Sequence, residues 1–201
     1  MTPEIASARL PGYLAGLKRR GGRILVAGNG GHEPLCRHLQ GAADANRRRV
    51  VVSVAAQRDG DGSGRPGPTA AHQRSVRPRD DEDGDVRLSR LARDTLTEID
   101  RLATEGLAAA ELRVCIASVD ELLAATDLDR TALFLDAVLD RTRAASGLAH
   151  VHLGADYRSD PVRRLEPHFD AVVEVRDSPA PAQRWHVPDR NQVTPWVPVR
   201  D

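Results

Sequence analysis

Apolar and polar positions alternate along the chain in two distinct rhythms. Residues 3–19 read as a first helix, with Pro3 near its start and Pro11 breaking or kinking it. "GG" at 21–22 ends that helix, and "RILVAG" (23–28) follows as a short buried strand, apolar after Arg23. A helix over 33–43 tolerates Pro34 in its first turn, and "RRRVVVSVAA" (47–56) makes a second, β-branched strand. Strand, helix and strand form a βαβ unit, which predicts a parallel sheet with a right-handed crossover.

The stretch from 57 to 85 is rich in Gly, Pro and charge and predicts a flexible insertion, with "SVRP" a short strand inside it. From Val86 onward Leu88, Leu91, Ala92, Leu96, Ile99, Leu102 and Ala103 recur at helical spacing. "LRVCIAS" (112–118) reads as a third strand. A short helix at 119–125 and a longer one from Leu128 to Gly147 come next. "LAHVHLGA" is a fourth strand, "DPVRRLEPHF" a helix and "DAVVEVRD" a fifth strand. "QRWHVPD" folds back on that strand across "SPAPA". The sum is a single three-layer α/β domain over 1–201, its sheet mostly parallel with an antiparallel C-terminal edge. "TPWVPV" reads as an extended tail packed on this domain.

Composition narrows the function classes. Lys+Arg and Asp+Glu both number 29, so no net basic field exists to attract nucleic acid. No run reaches the length of a membrane span, and the N-terminal basic residues follow the apolar ones, the wrong order for a signal peptide. The two isolated cysteines suit a reduced, cytoplasmic setting. Lys18 is the only lysine, so no chemistry downstream of it uses one.

The glycine loop "GNGGHEP" sits where a phosphate-binding loop would. With Gly28 as the first glycine of GxxxxGK[ST], the second glycine falls on Glu33, the lysine on Pro34 and the hydroxyl on Leu35. Glu33 repels phosphate and Pro34 lacks an N–H donor. A dinucleotide GxGxxG fails at the same Glu33. Two readings remain. The glycines make a tight strand-to-helix turn, or Gly28, Asn29, Gly30, Gly31 and His32 bind an anion at the helix N-terminus. The second is supported by a resemblance of "GNGG" to the loop of sugar isomerase domains such as phosphoheptose isomerase, in which His32 stands at the position of a phosphate-binding serine.

"RVCIAS" places Ala117 where a magnesium-ordering aspartate ends the corresponding strand of RecA-like ATPases, and Asp120 comes three residues later. "AELRVCIASVDELL", the run from "DLDRTALFLDAVL" to "TPWVPV", and "LCRHLQGAADANRRRVVVSV" together resemble a haloarchaeal RecA/KaiC-like family of unknown function, over about 20–55 and 86–199. The resemblance implies a RecA-like (P-loop NTPase-type) core with a degenerate P-loop, an archaeal source and salt adaptation, though the neutral charge departs from halophilic acidity. The lysine and aspartate positions are unmatched, so no catalytic residue is carried over. The expected function is a non-catalytic regulatory, signalling or interaction domain with no cofactor. Its partner is a protein or a second copy of itself, not nucleic acid or a membrane. The alternative is a binding protein or enzyme for a sugar phosphate or nucleotide at the GNGGH loop.

His150 and His152 share one strand face, and a metal there would take Asp156 or His32 as a third ligand. Zinc sites show three or four clear ligands, so the reading favours two hydrogen-bonded strand histidines and assigns no metal. Cys115 reads as a small core residue. Cys36 lies on the helix behind the glycine loop with no catalytic partner. "RRR" at 47–49 reads as a solvated turn before a strand.

Overall fold

A computed structural model describes residues 3–30, 32–41, 46–53, 73–76 and 84–199. Helix α1 (Pro3–Arg20) runs through Pro11 without ending there, and Gly21 stops it at φ +82°. β1 (Gly22–Ala27) leads through the glycine loop into α2 (His32–Gln40), which ends at Gly41 with φ +81°. β2 (Arg48–Val52), β3 (Gln73–Val76) and α3 (Gly84–Ala103) follow. β3 overlaps the predicted "SVRP" strand and pairs in parallel with β2. The last two residues of the predicted 57–85 insertion open α3 instead, and the rest of it, apart from β3, lies outside the described residues.

β4 (Leu112–Ile116), α4 (Asp120–Ala125), α5 (Leu128–Ala144) and β5 (Leu148–Leu153) come next. Asp127 caps α5 by accepting a hydrogen bond from the Arg130 amide at 2.8 Å. α6 (Asp160–Leu165) ends in a 3-10 turn at Glu166–His168 before β6 (Ala171–Arg176). β7 (Ala182–Val187), β8 (Gln192–Val193) and β9 (Val197–Pro198) complete the order.

The nine strands form one sheet in the order β3-β2-β4-β5-β1-β6-β7-β8, with β9 also on β7. β3 through β6 pair in parallel, while β7, β8 and β9 add an antiparallel edge. The C-terminal tail docks on its own domain: Trp196 lies against the guanidinium groups of Arg176 and Arg184, 4.1 and 4.6 Å from its ring centre.

Strand alternation divides the core into two. Leu25, Ala27, Val50, Val52, Leu112, Val114, Ile116, Ala149, Val151 and Leu153 face one side and pack with α3, α4, α5 and α6. Ile24, Val26, Leu148, Ala171, Val173 and Val175 face the other and pack with α1 and α2. The period of two therefore also puts Arg49, Arg113, Cys115, His150 and His152 on the α2 side. On β2, β4 and β5 that face is polar and yet buried.

Candidate metal centre

Buried polar groups need partners, because leaving them unsatisfied in an apolar interior costs several kcal/mol, of order 2–7 each. Cys115 is 1% exposed, His150 2% and His152 4%. The sheet register puts Cys115 of β4 directly beside His150 of β5, and His152 is two residues further along β5. α2 crosses above them and supplies Cys36. One ligand atom from each of Cys36, Cys115, His150 and His152 lies within 4.8 Å of the other three. Cys36 Sγ is 3.4 Å from Cys115 Sγ and 3.3 Å from His150 Nε2. A tetrahedral zinc ion with Zn–S near 2.3 Å and Zn–N near 2.0 Å spaces its sulfur and nitrogen ligands about 3.3–3.8 Å apart. The two close spacings, 3.4 and 3.3 Å, lie at the short end of that range, and all four ligand atoms fall within 4.8 Å of one another.

The surroundings prepare these atoms as ligands. His32 Nε2 lies 2.5 Å from the Gly28 carbonyl oxygen, which only accepts, so Nε2 carries the proton and donates. In neutral His32 the other nitrogen, Nδ1, is then an acceptor. It sits 2.9 Å from His152 Nδ1, which therefore donates. His152 Nε2 is left with a lone pair, buried and without a hydrogen-bond partner among the described residues. A carbonyl–histidine–histidine relay of this kind orients metal-ligating imidazoles. On the thiol side, Gln40 Nε2 donates to Cys36 Sγ at 3.2 Å.

Electrostatics point the same way. Cys36 is held well below the usual thiol range, chiefly by the hydrogen bond from Cys115 and further by His150 and His152, against the cost of burial. Cys115, the donor, is pushed up by that bond and by burial. His152 is pushed down, first by burial. The shared hydrogen bond therefore favours loss of the proton from Cys36 and its retention by Cys115. A divalent cation displaces the remaining thiol proton, as a coordinating thiol is deprotonated outright.

The other candidate residues take different places. Asp156 is outside the cluster and accepts from the Arg158 amide in a turn. His32 contacts His152 rather than joining the four. Gly28 (φ +135°) and Gly30 (φ +137°) adopt backbone that glycine favours. A Cβ at Gly28 would overlap the Val175 carbonyl, and one at Gly30 the Asp177 carboxylate. Asn29 lies in the same turn, and Gly31 falls outside the described residues. Asp120 accepts from the Gly154 amide at 2.8 Å and from Ser118 at 3.4 Å, tying the end of β4 to the end of β5.

Spacing along the chain pairs only His150 with His152, because Cys115 lies 79 residues from Cys36 and 35 from His150 and the four match no ligand motif. The available signal was strand phase: Cys115 and the two histidines all fall on the face opposite the aliphatic rows. No helix among the described residues is long and apolar enough to cross a membrane. A search of curated proteins finds none that matches the chain. A family model described as "Family of unknown function (DUF7504)" matches residues 21–175, and with most of its length covered the chain belongs to that family.

Proposed function

We propose that this chain is a zinc-binding α/β domain whose ion, held by Cys36, Cys115, His150 and His152, clamps α2 onto the centre of the sheet. The observation that carries the reading is the convergence of two thiols and two imidazoles from three separate elements in a buried site. Four protein ligands close the coordination shell, which is the pattern of a structural rather than a catalytic zinc. Soft thiolates with imidazoles in tetrahedral array favour zinc over magnesium or calcium.

The reading keeps the domain non-catalytic, with a regulatory or protein-interaction role on a RecA/KaiC-like core of haloarchaeal type. In support, Glu33 and Pro34 stand where a phosphate loop needs glycine and lysine, and Ala117 follows the last residue of β4. The alternative, anion capture at the GNGGH loop, has less support. Asp177 places a carboxylate beside Gly30, and His32 is engaged by Gly28 and His152.

Untagged protein, purified without chelator and analysed for metals by mass spectrometry, should hold about one zinc per chain. Cobalt reconstitution should give thiolate-to-cobalt charge-transfer absorption with the d–d bands of a tetrahedral ion. Cys115→Ser should weaken the charge-transfer band and Cys36→Ser do the same. Protein that holds no stoichiometric metal and gives no such spectrum with added cobalt would defeat the reading. ATP hydrolysis that disappears on replacing Gly28 and Gly30 would defeat its non-catalytic part.

A further inference from the structure

The same polar face carries a second cluster that the metal does not use. Arg49 of β2 and Arg113 of β4 are direct neighbours in the parallel register. They are 3% and 5% exposed. Arg47, just before β2, folds back over Gly41, where any Cβ would overlap its guanidinium. The C-terminal carbonyls of α2 engage two of the three: Arg47 Nη1 donates to Gln40 O at 3.4 Å and Arg49 Nη2 to Gly41 O at 3.2 Å. Arg113 has no hydrogen bond or ion pair among the described residues, and its Nε is buried without a partner.

A guanidinium stays charged in a protein, so Arg113, buried with no partner among the described residues, calls for a counter-ion. Arg forks match oxyanions with several acceptor oxygens. We infer that Arg113, with Arg49 and Arg47, forms a binding site for a small tetrahedral oxyanion, inorganic phosphate or sulfate, between the C-terminus of α2 and the starts of β2 and β4. The site is separate from the proposed zinc and does not depend on it.

The test is calorimetric melting of the protein as purified, with sulfate or phosphate replacing chloride at constant ionic strength. Sulfate is included because it does not precipitate zinc. The wild-type melting temperature should rise saturably at millimolar anion, because a ligand that binds only the folded state stabilises it. Arg113→Met should abolish the saturable rise while melting no lower than the wild type in chloride, since it removes a buried unpaired charge. Arg47→Ala should weaken the apparent affinity about tenfold, the worth of one charge-assisted hydrogen bond. If sulfate and chloride act alike on the wild type, or if Arg113→Met keeps the full response, the inference is wrong. Should Arg113→Met not fold, Arg47→Ala decides, and an unchanged saturation curve there overturns the site.

Discussion

His32 Nδ1 and His152 Nδ1 lie 2.9 Å apart, and this contact sets which nitrogen of His152 carries the proton. The proton order runs outward from a backbone atom. The Gly28 carbonyl accepts from His32, His32 accepts from His152, and His152 Nε2 keeps its lone pair. The glycine loop is thereby coupled to the buried cluster through the first residue of α2.

Replacing His32 with Ala should leave the four ligands in place but free the His152 ring. Zinc affinity, measured by competition with a chromophoric chelator, should fall about 10- to 100-fold, the usual cost of losing an orienting partner. His32→Asn, which can still accept from His152 Nδ1, should recover part of the loss. An unchanged affinity in His32→Ala would remove the relay from the account.

Stripping the metal should loosen α2 before the rest of the sheet. α2 spans nine residues, short for an autonomous helix. Removal by a strong chelator should lower the melting temperature by about 10 °C or more, as expected when a tight ligand of the folded state is lost. Amide exchange should accelerate in 32–40 while β1 and β6 stay protected. A uniform acceleration across the sheet would instead mean that the ion supports the whole fold.

Gly30→Ala tests the loop as a scaffold. Residue 30 sits at φ +137°, and its Cβ would meet the Asp177 carboxylate. The substitution should cost about 2–4 kcal/mol, strain plus steric displacement. Gly106→Ala is the control: its φ is +71° with nothing within 4 Å of a Cβ, so only about 1–2 kcal/mol is expected from the backbone conformation. Urea titrations of the two variants give the comparison directly, and equal losses would deny any role to Asp177.

His186 gives the fold a pH dependence apart from the metal. It stacks on Tyr157 with ring centres 3.9 Å apart, and its Nε2 is 2.9 Å from Glu174 Oε2. Burial lowers its pKa below the ordinary 6.5, outweighing the Glu174 carboxylate that raises it. The unfolded chain therefore binds the proton more readily. The stabilising contribution is complete above pH 6.5 and is lost as pH falls through the folded-state value. His186→Gln should lose less stability than the wild type between pH 7.5 and 5.5 in denaturant melts. A steeper loss in the variant would reverse the assigned sign.

Much of the fold was legible because each element carries its own period. β1, β4, β5 and β6 are near-continuous apolar runs, as strands covered on both faces must be, and α3 shows a single apolar stripe. Pro11 does not break α1, which continues past it: packing of Tyr13 and Leu17 against the sheet outweighs the one backbone hydrogen bond that proline removes. β8 and β9 were missed, since two-residue strands have no period to read and exist only through pairing with β7. The "RRR" run looked like a solvated turn, yet Arg49 is buried, because strand phase turns every second residue inward.

The sequence by itself determined the alternation of strands and helices, the parallel character of the sheet's centre and the absence of phosphate-loop side chains. These follow from local periodicity and from residue identity at fixed spacings. It also held the phase that sends Cys115, His150 and His152 to one face. Only the tertiary structure decided that this face meets Cys36, that His32 reaches His152, and that Asp177 comes to Gly30. Those meetings depend on strand order and on where α2 lies, and local sequence carries no record of which distant strand will be its neighbour.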